Sequence, residues 1–117
     1  MDTKMIAEAF SGHRFTEVYD FLAPDVRWVL PGQDAIEGRT AVVSACESSA
    51  ADMAQLASAG FTRFVSVADD RVAAVDVVGW YVSTDGSVSV VSSADIYEFD
   101  GEGLLTTITS YTVELDT

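Results

Sequence analysis

The chain has 117 residues, 49% of them hydrophobic, and a formal net charge of −13. That length fits one domain with an adequate apolar core, and the composition excludes disorder. The acidic balance works against phosphate backbones and anionic lipid surfaces, so no nucleic acid and no membrane is expected as a partner.

Residues 1–117 show no linker, repeat or low-complexity tract and are taken as a single domain. No apolar run is long enough to span a bilayer, and "MDTKMIAEAF" lacks the apolar stretch of an export signal. A single Cys46 rules out an internal disulfide framework. A cytoplasmic location is expected.

In chain order, "TKMIAEAF" predicts a short helix broken at Ser11-Gly12-His13. "RFTEVYDFL" predicts a second helix with Phe15, Val18, Tyr19 and Leu22 on one stripe, stopping at Ala23-Pro24. "DVRWVLP" alternates, with Val26, Trp28 and Leu30 on one face, and reads as a strand ended by Pro31-Gly32. The longest helix is expected from about Arg39 to Ser58, with Val42, Cys46, Ala50, Met53 and Ala57 as its apolar stripe. From Phe61 onward the period changes to two. "FTRFVSVAD", "RVAAVDVVGWYVS", "SVSVVSSADIYEFD" and "LLTTITSYTVEL" read as four strands separated by Asp- and Gly-rich turns. Helices followed by a meander give an α+β fold, with the N-terminal helices packed on one face of a strongly bent antiparallel sheet.

The turn at Asp85-Gly86 sharpens this reading. Asp-Gly favours a two-residue type I′ hairpin, which sets the register. Val82 would then oppose Ser89, Trp80 would oppose Val91, Val78 would oppose Ser93, and Asp76 would oppose Asp95. All would share one face, with the two carboxylates as cross-strand neighbours. Such a pair offers one acid to donate a proton and one carboxylate to accept it. A bulge or a different turn would part them.

The segments "FLAPDVRWVLPG" and "ADIYEFDGEGLL", with Gly38 before the long helix, resemble the nuclear transport factor 2-like superfamily and its SnoaL-like branch. The resemblance runs from about Lys4 to Leu115. It implies a cone-shaped α+β barrel whose concave sheet and helices enclose a mostly apolar pocket. Superfamily members include ketosteroid isomerases, polyketide cyclases, dehydratases, limonene-type epoxide hydrolases and non-catalytic binding modules. Asp95 matches the isomerase acid that donates to an oxyanion. The isomerase's proton-transferring aspartate falls at Leu30 and its tyrosine at Ile6, so that mechanism is not reproduced. Asp76 resembles an acid of the epoxide hydrolase triad, whose arginine falls at Ala74 and whose other aspartate falls at Ser110.

The candidate catalytic residues are therefore Asp95 and Asp76. Trp28, Leu30, Val78, Trp80, Tyr97 and Ser110 are the candidate substrate-binding residues around them. No metal-ligand spacing is present and no cofactor motif is found, so none is expected. Cys46 lies on the core stripe and reads as packing. His13, the only histidine, reads as an exposed loop residue, and Arg63 either reaches the rim or faces the acid pair. Val75, Val77, Gly79 and Tyr81, opposed by Ile96, Ala94, Ser92 and Val90, would form an outer face too apolar for water. Homodimerisation through that convex face is expected, as the resemblance also implies.

Three functions compete. The first is a small acid/base enzyme acting on an apolar polyketide-, terpenoid- or steroid-like molecule by cyclisation, isomerisation or dehydration. The second is an epoxide-opening hydrolase using paired aspartates. The third is a non-catalytic ligand-binding or dimerisation module.

Overall fold

A computed structural model describes residues 1–115. Two helices pack on a curled, unclosed sheet of six strands. The helices are α1 (Thr3–Ser11) and α2 (Arg39–Ala54). The strands are β1 (Leu22–Val29), β2 (Ile36–Glu37), β3 (Ser58–Ala68), β4 (Val72–Val82), β5 (Val88–Phe99) and β6 (Leu105–Leu115). Their order across the sheet is β2-β1-β6-β5-β4-β3. All neighbours run antiparallel except β1 and β6. No described helix is long and apolar enough to cross a membrane.

Asp2 caps α1 by accepting from the Met5 N–H at 2.8 Å. Ile6, Ala7, Ala9, Phe10 and Ser11 form its buried side. The second expected helix does not form. Phe15–Glu17 and Tyr19–Phe21 are two 3-10 turns, and Leu22 already belongs to β1. The three-residue spacing of buried Phe15 and Val18 suits the 3-10 repeat. Leu22 buries its side chain by pairing in parallel with Leu105. Helix α2 starts at Arg39 as expected but ends at Ala54, because the chain must turn into β3 at Ser58. Of its expected stripe, only Val42 and Cys46 are buried.

The Asp85-Gly86 hairpin differs from expectation by one residue. Val82 pairs with Val88, and Ser83 donates its N–H to the Ser87 carbonyl at 2.9 Å. The loop is thus Thr84–Gly86, three residues rather than two. Gly86 alone takes the left-handed conformation, with φ 88°, and Asp85 does not. A type I′ turn would need both residues there, which is costly for aspartate. The Asp85 carboxylate instead accepts from the Ser87 N–H at 2.9 Å and from its hydroxyl at 2.7 Å, closing the loop.

A one-residue shift exchanges faces. Asp95 pairs with Val75, and Asp76 pairs with Ala94. The buried side of β4 carries Ala73, Val75, Val77 and Gly79, while Asp76, Val78 and Trp80 point the other way. Two expectations are thereby corrected. Asp76 and Asp95 lie on opposite sides of the sheet and form no dyad. Val75, Val77, Gly79 and Tyr81 belong to the concave side, not to the convex one.

The core joins Ile6 and Phe10 of α1 to Val75, Tyr97, Leu105 and Ile108 of the sheet and Val42 and Cys46 of α2. The convex side carries exposed Val65, Val67, Tyr111 and Val113 beside Ala94 and Ile96.

Candidate active site

A cavity of about 360 Å³ opens between the C-terminal end of α1, the second half of α2 and the concave sheet. Apolar wall area comes from Phe10, Phe15, Trp28, Phe61 and Met53. Asp95 faces this space from the middle of β5 and is only 8% exposed.

The surroundings of Asp95 are built by α1. Ser11 is the last residue of that helix and lies four positions after Ala7, on the same buried side. Its hydroxyl donates to Asp95 Oδ2 at 2.8 Å. Ser11 Oγ is also hydrogen-bonded to Tyr97 Oη. The serine has one proton and spends it on the carboxylate, so the tyrosine must donate to the serine. Tyr97 is fully buried, and burial, reinforced by the Asp95 charge, pushes its pKa well above 10.0. It therefore keeps the proton this chain of hydrogen bonds requires. Tyr97, Ser11 and Asp95 thus form a hydrogen-bonded relay ending on a carboxylate.

His13 closes one side of the mouth. Gly12 ends α1, and a side chain there would place its Cβ 2.9 Å from the Glu8 carbonyl oxygen. The next residue, His13, takes φ 63°, the one non-glycine residue in the left-handed region among those described. That conformation is costly for a residue with a Cβ and is met at functional turns. It lays the imidazole parallel to Phe61, centroids 5.8 Å apart, with Nε2 3.2 Å from Tyr81 Oη. Burial lowers the His13 pKa below its usual 6.5, opposed by the Asp95 charge. The ring is therefore neutral at physiological pH and can accept a proton. The Tyr81 pKa is raised by burial and then by Asp95, so that phenol stays protonated.

Trp28 forms the opposite wall. Its Nε1–H donates to Ser110 Oγ at 2.9 Å, and its ring meets Phe10 edge-on at 5.0 Å. Trp28, Leu30, Ser110 and Asp95 line the same cavity. Tyr97 lies behind the wall and acts through Ser11. Val78 and Trp80 are on the convex side, where the Trp80 indole covers Gly60 so closely that a Cβ there would sit 2.6 Å from it. Asp76 is also outside, half-exposed and paired with Arg63 at 2.9 Å. A bulge between Phe61 and Arg63 turns Arg63 outward while Phe61 still faces the cavity. Cys46 is buried and its thiol is pushed up to about 12, so it is packing and not a nucleophile.

Ser11 and Tyr81 were not expected in the site, and His13, expected as an exposed loop residue, is instead partly buried against it. Tyr81 was hidden by the hairpin register. The Ala7–Ser11 spacing on a helix with a buried side was the available signal for Ser11.

A family model for the SnoaL-like domain matches residues 3–108. The chain belongs to the SnoaL-like domain family. Among solved structures, this SnoaL-like chain is similar to a nuclear transport factor 2-like protein of unknown function from Cytophaga hutchinsonii. The two share 26% identity over 93% of this chain and 94% of that one, with a TM-score of 0.81. It is also similar to the epoxide hydrolase/cyclase-like enzyme SalBIII of pyran ring formation in the polyether salinomycin. There the identity is 15% over 92% and 87% of the two chains, and the TM-score is 0.67. A third neighbour is Rv0760c of Mycobacterium tuberculosis in complex with estradiol-17β-hemisuccinate. That pair shares 17% identity over 97% and 99%, with a TM-score of 0.65. No curated protein matches the sequence.

Proposed function

We propose that the SnoaL-like cavity is the site of an acid/base reaction on an apolar, ring-forming or ring-bearing small molecule. The reaction is a cyclisation, isomerisation or dehydration, and Asp95 is the group that moves the proton. The observation carrying this reading is a nearly buried carboxylate, oriented by Ser11, in a mostly apolar cavity. Neutral His13, with Tyr81 hydrogen-bonded to it, supplies a second proton carrier on the other wall. The described SalBIII and Rv0760c neighbours support small-molecule chemistry or binding on this fold. An epoxide-opening mechanism with paired aspartates loses its basis, because Asp76 is on the far side of the sheet.

Binding without turnover is the second reading, favoured by the loss of the paired aspartates, since Asp76 lies on the far side of the sheet from Asp95. The two are separated by incubating the protein with polyketide, terpenoid and steroid panels and following products by mass spectrometry. Asp95→Asn should lose about 100- to 10,000-fold in turnover. Unchanged turnover in that variant would remove Asp95 from the chemistry. Ligands that bind the wild type and are never converted would leave the binding module.

The convex side, with Val65, Val67, Tyr111 and Val113 exposed, is proposed as a homodimer surface.

A further inference from the structure

The cavity contains negative charge and π-electron faces and no positive charge to balance them. Asp95 is 8% exposed, yet it belongs to none of the ion pairs among the described residues. The arginines are all committed elsewhere. Arg14 pairs with Glu17, Arg27 with Glu37 and Arg63 with Asp76. Arg39 donates to the Leu22 carbonyl and Arg71 to the Phe99 carbonyl. Lys4 is exposed on α1 and does not line the cavity. The imidazole of His13 is held neutral by its burial. The one other charged group on the wall is Asp52, an exposed acid at the rim.

A carboxylate withdrawn from water is stabilised by a partner cation far more than by one hydroxyl donor. Aromatic faces add to the attraction for a cation and do nothing for an anion. Phe10, Trp28 and Phe61 line the same cavity as Asp95. We infer that the ligand brings the missing charge: the cavity takes an apolar organic ammonium whose N–H groups meet the Asp95 carboxylate. This rests on the reading of the cavity as the ligand site and narrows its ligand class, without requiring turnover. It also excludes apolar acids, whose carboxylate would meet Asp95 and Asp52 with no cation to receive it.

Three probes of one shape test the inference by calorimetry at pH 7.5: 2-naphthylmethylammonium, 2-naphthylmethanol and 2-naphthoate. The ammonium should bind at least about tenfold more tightly than the alcohol, and the carboxylate should be weakest. Asp95→Asn should collapse the preference to about threefold or less while the alcohol still binds. Asp52→Asn removes the same charge from the rim and should keep most of the preference, because exposed charges are screened. The wild-type preference should also survive 0.5 M NaCl, a readout that needs no variant. Alcohol binding equal to ammonium binding would overturn the inference and leave the cavity as a ligand site. Equal losses in Asp95→Asn and Asp52→Asn would assign the effect to net charge and overturn it too. Failure of all three probes to bind at millimolar concentration would overturn both the inference and the cavity reading.

Discussion

The hydrogen-bond relay from Tyr97 through Ser11 to Asp95 makes a quantitative demand on stability. Ser11→Ala removes a donor to a carboxylate, worth about 2 kcal/mol, and strands the fully buried Tyr97 hydroxyl, worth about 1 kcal/mol more. Tyr97→Phe removes one neutral donor and should cost about 1 kcal/mol. Independent effects would sum to about 4 kcal/mol in the double variant. With the relay intact, the stranding term vanishes once both are changed, and the double variant should cost about 3 kcal/mol. For a chain of this size the shifts in Tm are about 12, 4 and 12 °C for the two single variants and the double. Urea unfolding with a two-state fit provides the free energies, and a thermal scan provides the Tm values. A double variant that loses the full sum, within about 0.3 kcal/mol, would show that the two side chains act separately and refute the relay.

His13 predicts a stability window. Its folded pKa lies below 6.5, so the unfolded chain takes up the proton first, and stability should fall as pH drops through 6.5 toward the folded value. His13→Gln should flatten that decline in urea midpoints between pH 7.5 and 5.5; an unaltered decline would mean the ring is not the group responsible. Asp69 and Asp85, lowered chiefly by their hydrogen bonds to Arg71 and Ser87, lose their contributions only at more acid pH and do not overlap this window. On the convex side, light scattering should find a homodimer that Val113→Glu converts to monomer. A wild-type monomer at micromolar concentration would rule that surface out.

Much of the architecture was legible from periodicity, because each strand of the meander buries one side and each Gly- or Asp-rich stretch ends an element. The parallel pairing of β1 with β6 was not, since local pattern carries no information about which distant strand lies alongside. The short turns at Phe15–Phe21 were mistaken for a helix because an apolar spacing of three and four serves both. Asp95, Trp28 and Ser110 reach the cavity by alternation along their own strands, and Leu30 reaches it from just beyond β1. Asp76, Val78 and Trp80 were misplaced together, by a single choice of turn type.

The pair that closes the Thr84–Gly86 loop allots the chemistry. Antiparallel partners share a side, so closure by Ser83 and Ser87 decides which side chains of β4 join Asp95. Substitutions in the loop leave that allotment alone while Gly86 can keep its φ of 88°. Closing the turn between Thr84 and Ser87 would instead set Asp76 against Asp95 and send Tyr81 outward, remaking the interior without changing any residue in it. For this hairpin, whatever moves the closing pair rewrites the site wholesale, and changes that leave the pair in place tune it.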